Sequence, residues 1–102
     1  MNEPDLLADI HRHHVVIYGR MSCGFCVMAT RWMQSRGIPF EFIIASGNPA
    51  LREKLAAVSG QPTVPQIFVD GVSIGGYQDL LARAAEDEFL RALERRSPDN
   101  DT

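Results

Sequence analysis

Cysteine is scarce in this chain: Cys23 and Cys26 are the only two among 102 residues. A structural zinc site needs four ligands, and no second cysteine pair exists to complete one. The remaining candidates, His11, His13 and His14, crowd just upstream of a strand pattern. Histidines in such a run more often pack or stay in solvent than bind a metal. A disulfide across two intervening residues removes little unfolded-state entropy, which argues against a purely structural bridge. Long apolar runs are also missing, so no segment approaches the ~20 residues of a membrane-spanning helix. Nor is positive charge in excess. Ten Lys and Arg against 13 Asp and Glu leave a formal net charge of −3, which argues against a general nucleic-acid or membrane surface. Met1-Asn2-Glu3-Pro4-Asp5 is acidic where a targeting peptide would be basic. There are no internal repeats, low-complexity segments or linkers. What is left is ordinary globular composition, 45% hydrophobic and 23% charged. It fits one domain, large enough to bury about two-thirds of its unfolded surface. A cytoplasmic, reducing compartment is expected, where a close thiol pair can cycle.

The two cysteines stand two residues apart in Ser22-Cys23-Gly24-Phe25-Cys26, where an apolar strand pattern gives way to a helical one. The thiolate is the reactive form of cysteine, and a helix N-terminus is one place where a protein favours it. Cys23 is expected at the mouth of the helix, with Cys26 one turn further in and more buried. That arrangement pairs an attacking thiol with a resolving thiol able to close and reopen a small disulfide ring. Redox chemistry is therefore preferred to a half zinc site. Arg20, three residues before Cys23, could favour the thiolate or hold a substrate carboxylate. Phe25, at an exposed loop tip, is expected to form an apolar wall for a ligand.

A short first helix is predicted from Pro4 to Ile10, with Leu6, Leu7 and Ile10 on one face. Val15-Val16-Ile17-Tyr18 reads as a buried central strand. A helix from Gly24 to Arg36 follows, burying Ala29, Trp32, Met33 and the stem of Arg36, and Gly37 stops it. The second strand, Pro39 to Ile44, should lie parallel to the first through a right-handed crossover. Asn48 caps a second helix with Pro49 in its first position and Leu51, Leu55 and Val58 buried. Strands Gln66–Val69 and Val72–Ile74 form a hairpin about Asp70-Gly71. Gly75-Gly76 leads into a last helical stretch, Tyr77 to about Arg96, with a break near Ala85-Glu86. Leu81, Ala85, Phe89 and Leu93 are spaced for its inner face. Two glycines before a helix let an anion approach its N-terminus closely.

Three stretches together resemble a glutaredoxin: Ile17 to Cys26, Thr63-Val64-Pro65-Gln66-Ile67-Phe68, and Ile74-Gly75-Gly76-Tyr77-Gln78-Asp79-Leu80. The resemblance implies an α/β thioredoxin-like fold, a four-stranded mixed sheet flanked by helices, with a cis Val64–Pro65 peptide. It covers about Val15 to Leu81 and, with the polar tail, suggests an N-terminal extension (1–14), a glutaredoxin domain (15–96) and a disordered tail (97–102). It implies Cys23 as nucleophile, Cys26 as resolving thiol and glutathione as cofactor, with glutathionylated or disulfide-bonded proteins as partners. Arg20 and Gln61 would hold the glycine carboxylate of glutathione. Thr63, Val64 and Pro65 would flank its cysteinyl unit, Val64 by backbone pairing. Gly76, Tyr77 and Gln78 would receive the γ-glutamyl carboxylate, Asp79 the ammonium, and Phe25 would line the site.

Two departures stand out. Gly24-Phe25 sits between the cysteines where many dithiol members carry Pro and an aromatic residue, and Gln78 stands where the family often has an acid. Members with Gly or Ser at that first position can hold a [2Fe–2S] cluster between two subunits. This implies an alternative role as cluster scaffold, with Cys23 as iron ligand beside two glutathiones. The chain would then be a dimer and otherwise a monomer.

Overall fold

The computed structural model describes residues 7–94, so the tail and the start of the first predicted helix lie outside the described residues. Four strands, β1 (Val15–Gly19), β2 (Glu41–Ile44), β3 (Gln66–Val69) and β4 (Val72–Gly75), form one sheet in the order β2-β1-β3-β4. β1 runs parallel to β2 and antiparallel to β3, and β3 is antiparallel to β4. Four helices flank it: α1 (Gly24–Ser35), α2 (Pro49–Ser59), α3 (Tyr77–Ala84) and α4 (Asp87–Glu94).

β1 is buried over its whole length because both faces of the sheet are covered. Val15 and Ile17 face one core with Ala29, Met33, Ile67, Leu80 and Leu93. Val16 and Tyr18 face the other, with Phe68 of β3, Leu51 and Leu55 of α2, and Leu7 and Ile10. The period-2 alternation of a strand divides the run in this way. Ile10 belongs to a short 3-10 helix, Ala8–His11, with Leu7 at its N-cap, where the sequence predicts a longer one.

The turn chemistry follows the sequence closely. Asn48 Oδ1 accepts from Leu51 N–H at 3.1 Å, and Gly60 ends α2 in the left-handed region. Asp70 and Gly71 both have positive φ, 51° and 82°, as a two-residue hairpin turn requires. Asp70 also anchors His14, whose Nδ1 lies 2.7 Å from Asp70 Oδ1 and whose Nε2 lies 2.9 Å from the Leu93 carbonyl. His14 thus ties the hairpin to α4, while His11 and His13 are exposed. Among the described residues no group of three or more His, Cys, Asp or Glu could hold a metal.

Several expectations about the helices and β2 need correction. The last helical stretch does break, between Ala84 and Asp87, and the break resets the helical phase. Leu80 is buried there instead of Leu81, and Ala85 is exposed. α2 buries Leu51 and Leu55, but Val58 is 50% exposed. Trp32 is only partly buried, its outer face covered by the Arg36 guanidinium 4.5 Å from the ring centroid. β2 starts at Glu41, two residues after Pro39, which has no N–H for a ladder. No helix among the described residues is long and apolar enough to cross a membrane.

Candidate active site

Cys23 caps α1 instead of lying within it. Its backbone is extended, and its Sγ accepts a hydrogen bond from Cys26 N–H at 3.3 Å. The sulfur therefore occupies the place where a helix leaves donors unpaired, and an anion there receives both the hydrogen bond and the dipole. Cys23 is 4% exposed and Cys26 2%, and neither is in a disulfide. Ser22, just before the cap, has φ 59°. A side-chain-bearing residue there costs about 1 kcal/mol or more, so the turn that presents Cys23 is held by its surroundings.

Cys26 lies inside the first turn of α1. Burial pushes its thiol up from 9.0 to about 11, and its hydrogen bond with the Cys23 side chain adds to the rise. A main-chain hydrogen bond from Arg20 and the charge of Arg20 oppose this without prevailing. At neutral pH Cys26 is therefore protonated, a proton donor to its neighbour and not a competing nucleophile. Gly19 fits over it with no room to spare. A Cβ there would fall 2.8 Å from Cys26 Sγ and 2.7 Å from the Phe42 ring.

The cis Val64–Pro65 peptide lies at the end of the 61–65 loop, just before β3. A cleft of about 350 Å³ is lined by Phe25, Gln61, Thr63, Val64, Pro65, Gly76, Tyr77, Gln78 and Asp79. These are all the glutathione-contact residues expected from the sequence except Arg20. The Phe25 and Tyr77 rings stack at 6.2 Å between centroids and make one apolar wall. Gly76 caps α3, so the first-turn N–H groups of Tyr77, Gln78 and Asp79 have no helical carbonyl to bond. Asp79 Oδ2 accepts from Gly76 N–H at 2.9 Å. Its carboxylate thus braces the cap as well as facing the cleft, a duty absent from the sequence reading. Gly75, at φ 104°, has no space for a Cβ beside that same carboxylate.

Arg20 opens onto an adjoining cavity of about 250 Å³ that shares Thr63 and Val64 with the cleft. Its Nη1 donates to the Met21 and Ser22 carbonyls at 3.4 Å, which holds it over the active-site loop. Arg52 of α2 lines this cavity too. Sequence reasoning missed Arg52, because an arginine beside the apolar stripe of a helix reads as solvated. Only the packing of α2 against the 61–65 loop reveals it. The two cavities meet at Thr63 and Val64, with two guanidinium groups at one end and a helix N-terminus beside a carboxylate at the other.

Residues 15–74 match the family model for glutaredoxin. The chain belongs to the glutaredoxin family. It is 42% identical over 69 residues to glutaredoxin 3 of Escherichia coli K12, covering 68% of this chain and 83% of that protein. Among solved structures, a wheat glutaredoxin superposes with a TM-score of 0.79 at 27% identity, covering 86% of this chain and 84% of that one. A buckwheat glutaredoxin–glutathione complex gives 0.77 at 22% identity, covering 82% and 79%. Glutaredoxin membership and the thioredoxin-like sheet make this a thiol–disulfide oxidoreductase that works with glutathione.

Proposed function

We propose that this glutaredoxin reduces glutathione mixed disulfides by a Cys23-centred exchange, with glutathione seated across the two joined cavities. The observation that carries the reading is their polarity. Glutathione has a carboxylate at each end and an ammonium beside one of them. The site offers Arg20 and Arg52 at one end, and the α3 N-terminus with Asp79 at the other. Between them, the backbone at Val64 can pair with the cysteinyl unit as a short added strand. The relative whose structure contains glutathione shares the fold.

In the reaction, Cys23 thiolate attacks the glutathionyl sulfur of the mixed disulfide. A bond forms between Cys23 and glutathione, the original disulfide breaks, and the electron pair leaves with the substrate thiolate, which takes up a proton. The thiolate of a second glutathione then attacks the glutathionyl sulfur of the adduct, releasing glutathione disulfide and returning the electron pair to Cys23. Alternatively, Cys26 loses its proton and closes the ring with Cys23, expelling glutathione. The same pair would serve protein disulfides. Met21, Phe25, Val27 and Met28, all exposed around Cys23, give the protein half of a substrate an apolar landing. The reaction suits the reducing cytoplasm. In a glutathione-mixed-disulfide assay Cys23→Ser should abolish turnover and Cys26→Ser should keep much of it. Full activity in Cys23→Ser would refute the assignment.

A second reading, a [2Fe–2S] scaffold, is favoured by one observation: nothing lies within 4 Å of a Cβ built on Gly24, leaving the approach beside Cys23 open. Such clusters take four thiolate ligands. With Cys26 protonated and buried, one chain offers Cys23 alone, so two chains and two glutathiones would be needed. Anaerobic reconstitution with iron, sulfide and glutathione should then yield a coloured dimer; a colourless monomer would rule the role out.

A further inference from the structure

Gln66 is the one buried polar residue among those described, at 1% exposure, and the exchange mechanism does not use it. It opens β3, paired in register with Tyr18 of β1. By strand alternation it shares the Phe68 face, where its neighbours are aliphatic side chains and the Tyr18 and Phe68 rings. Its Nε2 donates to two main-chain carbonyls, Gln61 at 2.8 Å and Thr63 at 3.0 Å. Both belong to the loop 61–65, whose residues make one wall of the cleft.

A loop that skirts a sheet has no ladder to satisfy its carbonyls. Here a side chain from inside the core reaches out and satisfies two of them at once. Ser59 assists at the near end: its Oγ donates to the Gln61 carbonyl at 3.0 Å and accepts Gln61 N–H at 3.2 Å. Gln66 Oε1, by contrast, is buried with no hydrogen-bond partner among the described residues. An apolar residue of the same length would avoid that cost, so the use of a glutamine rests on its two donors.

We propose that Gln66 is a positioning residue of the glutathione cleft, fixing the Gln61–Val64 backbone so that Val64 meets the ligand already ordered. The proposal rests on the glutathione reading above. Ordering a loop before binding removes that entropic cost from the binding step, so loosening it weakens affinity without touching the sulfur chemistry.

The test compares wild type with Gln66→Met, which keeps volume and removes both donors, and Gln66→Glu, which keeps shape and faces a carboxylate toward two carbonyls. In the unliganded proteins, backbone amide order parameters should fall at residues 61, 63 and 64 and stay unchanged at 67–69. Glutathione affinity followed by amide shifts should weaken about three- to tenfold in Gln66→Met and further in Gln66→Glu. KM for a glutathionylated peptide should rise in proportion while kcat and the rate of Cys23 alkylation by iodoacetamide hold. Wild-type order parameters in both variants would overturn the proposal. So would a fall in alkylation rate or in β3 order that matches the loss of affinity, because the defect would then be global. A wild-type protein with no affinity for glutathione would instead bring down the functional reading, and the loop dynamics would still report on the tether.

Discussion

Two sulfurs three positions apart occupy different settings, and single residues create the difference. Cys23 takes a helix-capping position and accepts a main-chain N–H. Cys26 is enclosed by Gly19 and the Phe42 ring, and burial keeps its proton on. The sign of the resulting pH dependence follows from linkage. As pH rises between 9.0 and about 11, the unfolded chain gives up the Cys26 proton while the folded chain retains it. Stability should therefore fall with rising pH across that window. Denaturant titrations should show this slope in wild type and its loss in Cys26→Ala; an equal slope in both would contradict the assignment. Two glycines, Gly19 before the thiol pair and Gly24 within it, make a sharper contrast. Gly19→Ala forces a methyl group against Cys26 Sγ and Phe42, and should cost about 1–3 kcal/mol. Gly24→Ala fills open space in the first turn of α1 and should be neutral or stabilising by up to about 1 kcal/mol. Equal destabilisation by both would show that the packing over Cys26 does not matter.

At the scale of elements, the site is assembled where α1 and α3 begin and where the 61–65 loop enters β3. The start of α3 serves fold and ligand together. Asp79 braces the Gly76 N–H and faces the cleft. Asp79→Ala should lower stability by about 0.5–2 kcal/mol through the lost cap interaction and should also raise KM for glutathionylated substrate. A stability loss with unchanged KM would confine Asp79 to the cap. The same double use explains what the sequence discloses and what it hides. Asn48, Pro49 and Asp70-Gly71 act within a few residues of themselves, so local chemistry is enough to place α2 and the hairpin. Leu81 and Ala85 were misassigned because their burial depends on where the last helix breaks and in which phase it resumes. Periodicity across a break cannot supply that phase. Gln66 and Arg52 went unnoticed for a related reason: each acts on a neighbour that is close only after the sheet and α2 have packed. His14 is similar, since its partners Asp70 and Leu93 stand 56 and 79 positions away.

Over the whole molecule, the sheet order β2-β1-β3-β4 sets the active-site loop at the end of the buried central strand β1, beside the loop that enters β3. One cavity carries two arginines, the adjoining one carries a helix N-terminus and Asp79, and they share Thr63 and Val64. That continuity is what turns a thiol pair into a site for a tripeptide with charges at both ends. The most direct test is to trap the first product. Cys26→Ser protein, mixed with a glutathionylated peptide and quenched with acid, is analysed by mass spectrometry with peptide mapping and by amide shifts of the trapped adduct. The account predicts one glutathione on Cys23, free peptide thiol in equal amount, and shifts at Val64 and at Gly76–Asp79. Transfer of the peptide to Cys23 in place of glutathione, or an adduct that leaves those amides unmoved, would contradict it.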